Sequence, residues 1–140
     1  MTRDRFVKVM LAGAGAAVTG VLSFPALRFL WPAGSATATQ NEVVAGKSSD
    51  LKPNSGKIFQ FRGKPAILIR DAGGDFRAFS GVCKHLGCTV QYKSEGSFIW
   101  CACHNGHFDA KTGAVLSGPP PTGLDLYKVA LRGDDVVVSA

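Results

Sequence analysis

The hydrophobic and polar positions fall into three textures along the chain. From Val9 to Leu27 the residues carry no charge, and Leu30 and Trp31 extend the apolar stretch past Arg28. A run of that length predicts a helix able to span a bilayer. Residues 33–56 are rich in Ala, Gly, Ser, Thr and Asn, with Pro53, and predict a flexible tether with a short strand near Val43 and Val44. From Lys57 onward short runs of β-formers alternate with turn residues. KIFQF, PAILIR, DFRAFS, TVQYK, SFIWC and AVLS read as strands, DAGGDF and SEGS as turns, and LYKVALRGDDVVVSA as a hairpin over Gly133 and Asp134. No helix-period segment or repeat follows residue 56. The organisation predicted is an N-terminal stub and anchor over 1–31, a tether over 32–56, and a small all-β, antiparallel domain over 57–140.

Charge orients the apolar segment. Arg3, Arg5 and Lys8 precede it, which places the N-terminus in the cytoplasm and the β domain on the exported side of a bacterial-type inner membrane. A cleaved signal peptide is the competing reading, because Ala36 and Ala38 give an A-x-A arrangement. The segment TRDRFVK resembles a twin-arginine export signal, but Asp4 interrupts the arginine pair. The formal net charge of +6 comes from residues that flank the apolar segment or are scattered singly among acids. There is no basic stripe with interleaved aromatics, so nucleic acid is not an expected partner.

The chemistry is concentrated in two loops. All 4 cysteines lie between 83 and 103, in CKHLGC (83–88) and CACHNGH (101–107). Each loop holds a Cys and a His at chelating spacing, Cys83-x-His85 and Cys101-x-x-His104, plus one further cysteine. Thiolate with imidazole suits zinc or the iron of an iron–sulfur centre. Trp100 and Phe98 alternate within a strand and read as core. Lys84 reads as a solvated charge beside the loop.

C-x-H-x-G-C followed by C-x-C-H resembles the signature of Rieske [2Fe–2S] proteins of the cytochrome bc type. The resemblance runs through the whole chain: anchor, tether, β domain, two cluster loops and the loop GPPP (118–121). It implies a Rieske-type fold and one [2Fe–2S] cluster per subunit. Cys83 and Cys101 would bind one iron, His85 and His104 the other, and Cys88 and Cys103 would form a disulfide. His107 is left over as a surface or neighbouring residue. The implied partners are a cytochrome b-type subunit, a c-type cytochrome and quinol, with His104, or else His85, as the quinol contact and proton acceptor. Leu86 would lie at the docking tip and Gly87 in a turn, and the prolines from Pro119 onward would cover the cluster. Replacing two thiolates by imidazoles raises the potential of such a cluster.

The second loop departs from the pattern C-P-C-H-G-S-x-Y of high-potential members. Gly106 and Phe108 stand where serine and tyrosine hydroxyls would bond sulfur, and Asn105 follows the histidine. Fewer hydrogen bonds to sulfur lower the potential, which implies a menaquinol-like donor unless backbone amides or the Asn105 side chain replace the hydroxyls. Two alternatives stay open. One is a Rieske subunit of another exported oxidoreductase, such as arsenite oxidase. The other is a structural zinc site on Cys83, His85, Cys101 and His104.

Overall fold

The computed structural model describes residues 2–30 and 41–140. Trp31, Ala36, Ala38 and the first part of the expected tether lie outside these residues. The chain divides into two units, an N-terminal helical one and a β-rich one running to Ala140. The described residues form one helix and ten strands.

Helix α1 (Arg3–Leu30) has Asp4 in its first turn and Arg28 in its last, signs that complement the helix dipole. At 1.5 Å per residue its 28 residues span about 42 Å, more than the roughly 30 Å of bilayer hydrocarbon. Its two hydroxyls are satisfied internally: Thr19 Oγ1 donates to the Gly15 carbonyl at 2.8 Å and Ser23 Oγ to the Thr19 carbonyl at 2.7 Å. None of its residues is buried by protein, so its apolar surface is open to lipid.

In the β unit, β1 (Glu42–Lys47), β2 (Ser55–Phe61), β3 (Lys64–Arg70), β4 (Phe76–Ser80), β9 (Leu126–Arg132) and β10 (Asp135–Ser139) form an antiparallel sheet in the order β1-β10-β9-β4-β3-β2. A second antiparallel sheet consists of β5 (Gln91–Lys93), β6 (Phe98–Cys101), β7 (Gly106–Asp109) and β8 (Val115–Ser117) in sequence order. The apolar run Ala66–Ile69 is buried on both faces of β3, as expected of a strand covered from two sides. Leu68 joins Ala45, Leu51, Ala78, Val136 and Val138 in one core. Ile67 and Ile69 face the other way and pack with Phe79, Val90, Ile99, Phe108 and Leu124 in a second core that also holds Cys83 and Cys101.

The expected strand near Val43 and Val44 is present as β1, paired along β10. The folded unit therefore starts before Lys57, and the later part of the 32–56 segment belongs to it. Asn54 and Gly56 are a seam between the two sheets. The Tyr92 hydroxyl donates to Asn54 Oδ1 at 2.6 Å, Asn54 Nδ2 donates to the Ser94 carbonyl at 3.2 Å, and a Cβ on Gly56 would stand 2.5 Å from that of Tyr92.

Candidate metal centre

Both cysteine-bearing loops are hairpin tips. Loop one is closed by the Val82–Thr89 bridge and by the Cys83 amide donating to the Cys88 carbonyl at 2.8 Å. Gly87 turns the chain at φ 78°, where a side chain has space but is conformationally disfavoured. Loop two is the tip Ala102–Asn105 between paired Cys101 and Gly106 on β6 and β7. Here Asn105 takes the left-handed conformation at φ 56°, a role to which asparagine is suited. The Cys88–Cys103 disulfide joins the two tips, with Cα atoms 6.6 Å apart.

Four side chains converge beneath and at this junction. The Cys83 and Cys101 thiols are free and buried, at 3% and 2% exposure. Burial pushes the Cys83 thiol up, and the adjacent Cys101 thiol adds to that, while the His85 and Leu86 backbone N–H groups on its sulfur act the other way. A coordinated metal cation holds such thiols as thiolates. The His85 and His104 rings stand edge to face with centroids 4.6 Å apart. His85 Nδ1 is buried without a hydrogen-bond partner among the described residues. A buried unpartnered imidazole nitrogen is costly unless something coordinates it. The donor set, two thiols and two imidazoles, therefore fits a mixed-ligand iron–sulfur centre. Cys88, Cys101 and Cys103 also hold their sulfurs within 4.8 Å of one another. Two of these sulfurs are already spent in the disulfide, so that trio offers one thiolate only.

The surroundings refine several expectations. Gly106 is buried, and a Cβ there would meet Pro120 Cγ at 2.9 Å and Cδ at 3.2 Å. The ring against loop two is thus that of buried Pro120, whereas Pro119 is exposed. Phe108 is fully buried in the core that contains both thiols. Leu86 is 69% exposed at the tip of loop one. Lys84 is not a free charge: its Nζ pairs with Asp125 at 2.6 Å. His107 lies away from the tips, with Nδ1 3.0 Å from Ser117 Oγ and its ring 4.9 Å from that of Phe98. Phe98 and Trp100 are half-buried on the outer face, because the alternation of β6 turns Ile99 and Cys101 inward. Trp100 Nε1 donates to Asn105 Oδ1 at 2.9 Å, and Lys93 Nζ lies 4.5 Å from the indole centroid. Sequence reasoning missed Asp125 as the partner of Lys84 and the hydrogen bond of Trp100, which it read as core, to Asn105.

A small two-sheet domain with paired Cys/His hairpins locked by a disulfide defines a protein whose loops offer thiol and imidazole donors to a metal centre. The comparisons with known proteins give its family. The Rieske [2Fe–2S] domain family matches residues 41–128. The cytochrome b6-f complex iron–sulfur subunit of Chlorobaculum tepidum is 34% identical over 137 residues, covering 98% of this chain and 75% of that protein. The menaquinol:cytochrome c reductase iron–sulfur subunit of Geobacillus thermodenitrificans is 32% identical over 149 residues, covering 94% and 87%. A chain of a hyperthermophilic respiratory Complex III superposes with a TM-score of 0.58 at 29% identity, covering 91% of this chain and 98% of that one. The chain belongs to the Rieske [2Fe–2S] family, as an iron–sulfur subunit of the cytochrome bc type, and the family's cofactor is a [2Fe–2S] cluster.

Proposed function

We propose that this chain is the anchored electron carrier of a membrane quinol:cytochrome c reductase, taking electrons singly from a low-potential, menaquinol-like quinol and delivering them to a c-type heme. The carrying observation is the arrangement of the donors: two buried thiols behind two imidazoles at the joined tips of two hairpins. In this reading Cys83 and Cys101 hold one iron, and His85 and His104 hold the other. When bound, the cluster supplies a one-electron couple with a potential above that of an all-cysteine cluster.

The chain's own residues do the rest. His85 directs Nδ1 inward, which leaves Nε2 as its outward atom. The imidazole of exposed His104 accepts a hydrogen bond and then a proton from the quinol hydroxyl. Leu86 docks against a cytochrome b-type subunit and excludes water from that contact. The missing hydroxyls at Gly106 and Phe108 support a low potential. The name of the Geobacillus relative supports a menaquinol donor. α1 anchors the subunit, its three leading basic residues on the cytoplasmic side and the β unit on the exported side.

The test is a redox titration of the full, cluster-loaded chain in detergent, read by EPR. A His-ligated [2Fe–2S] signal with a midpoint below that of ubiquinol-type members is the expected result. A high midpoint would overturn the menaquinol reading. Stoichiometric zinc with no signal would overturn the electron-transfer function.

A further inference from the structure

The tip that carries His104 is held on both sides. On one side Cys103 is fixed covalently to Cys88. On the other, Asn105 is fixed twice, by its left-handed backbone and by the indole N–H of Trp100 on its Oδ1 at 2.9 Å. A glycine would give the same turn with more backbone freedom, so the asparagine adds an anchoring point. The indole is itself held in place: Trp100 lies between Gln91 on β5 and His107 on β7, with Lys93 Nζ 4.5 Å from its ring centroid. The three-residue segment 103–105 is therefore pinned at both ends, with exposed His104 between them.

We infer that the Trp100–Asn105 hydrogen bond is a latch that fixes the backbone beneath His104, making Trp100 and Asn105 positioning residues for the imidazole that meets the electron donor. The inference rests on the reading of His104 as a cluster ligand. The latch acts through the direction of the His104 ring and not through contact with donor or cluster. Removing either half frees one side of the tip, and the two halves form one device, so their effects do not add.

The test uses the full cluster-loaded chain with Trp31→Phe, which leaves Trp100 as the one indole. Three readouts are followed: the ultraviolet resonance Raman band that reports indole N–H hydrogen bonding, the EPR g-values of the reduced cluster, and the midpoint potential. Asn105→Gly keeps the left-handed turn and removes the acceptor; Trp100→Phe keeps an aromatic ring and removes the donor. Asn105→Gly is expected to move the Raman band to that of a released indole. Both variants should shift g-values and midpoint in the same direction, with the double variant shifting no further than the larger single one. Asn105→Asp, which keeps an acceptor, should restore the Raman band and the g-values. An unmoved band in Asn105→Gly would overturn the latch. Unchanged g-values and midpoint, or fully additive shifts, would overturn the positioning role. If the parent chain gave no His-ligated cluster signal, the ligand reading would fail and the positioning role with it. The Raman band distinguishes that outcome from failure of the latch alone.

Discussion

Gly106 gives the sharpest quantitative test of how loop two is built. Its backbone angles are ordinary, so glycine is needed there for space and not for conformation. A methyl group would place Cβ 2.9 Å from Pro120 Cγ and 3.7 Å from Cys101 Cβ. The buried proline ring cannot rotate aside, and the loop behind it is also tight: a Cβ on Gly118 would lie 2.8 Å from Gly106 Cα. Overpacking of this kind costs about 1–3 kcal/mol, and the lower unfolded-state entropy of alanine offsets about 0.4–1 kcal/mol. The net for Gly106→Ala is a loss centred near 1.5 kcal/mol, or roughly 6–12 °C in the melting midpoint of a domain of about 100 residues.

Gly106→Ser puts the same strain against a change that would otherwise raise the potential. A hydrogen bond to a cluster sulfur, worth about 0.5–1.5 kcal/mol net, would correspond to about 20–65 mV in a one-electron couple. Pro120 displaces the serine Cβ, so Gly106→Ser alone should fall short of that rise and melt earlier. Gly106→Ser with Pro120→Ala should recover both the rise and part of the stability. Calorimetry and a redox titration of the full loaded chain read the two quantities. If Gly106→Ser alone raised the potential by the full amount and melted no earlier than the parent, Pro120 would not be the obstacle and the steric reasoning would be refuted.

Other expectations follow from the same structure. Cys103→Ser opens a covalent link across a sequence separation of 15 and should cost about 3 kcal/mol in denaturant unfolding, with earlier bleaching of the visible cluster spectrum. Gly56→Ala forces a Cβ to 2.5 Å from that of Tyr92 and should lower stability by about 1–3 kcal/mol, as read by thermal or denaturant unfolding. His107→Gln should retain the cluster spectrum that His104→Gln loses. On acidification, the Thr112 hydroxyl and amide on Asp109 Oδ1 hold that carboxyl below its usual range. A depressed folded pKa gives stability that is present above the unfolded value of about 3.9 and is lost as pH falls through the folded one. Asp109→Asn should therefore lose stability at neutral pH and show a flatter decline towards acid, as followed by thermal melting across pH.

Sequence made the local devices legible and left the long-range ones hidden. The helix follows from one uncharged run, and the hairpins from period-two alternation with turn residues between. Spacing puts a Cys and a His in each loop, and the family resemblance implies which cysteine of each loop is the donor. β1 was harder to place. Glu42–Lys47 is short and lies in Gly-, Ser- and Ala-rich surroundings. It is a strand because β10, about ninety residues later, offers it an edge. The reading of Phe98 and Trp100 as core failed for a different reason. Alternation fixes which residues share a face, and only the burial of Cys101 decides which face is inward.

The absence of a hydroxyl at Gly106 was readable, but its steric cause was not. Gly106 and Pro120 are brought together by a loop that begins at another glycine, Gly118, whose own missing side chain lets the two backbones touch. Each glycine is intelligible only in the presence of the other. The pair exchanges a polar contact at the edge of the site for a dry one with proline. The missing hydroxyl at position 106 and the packing of the proline loop therefore share one steric cause, and under the proposed low-potential reading a substitution at either position should move both stability and potential.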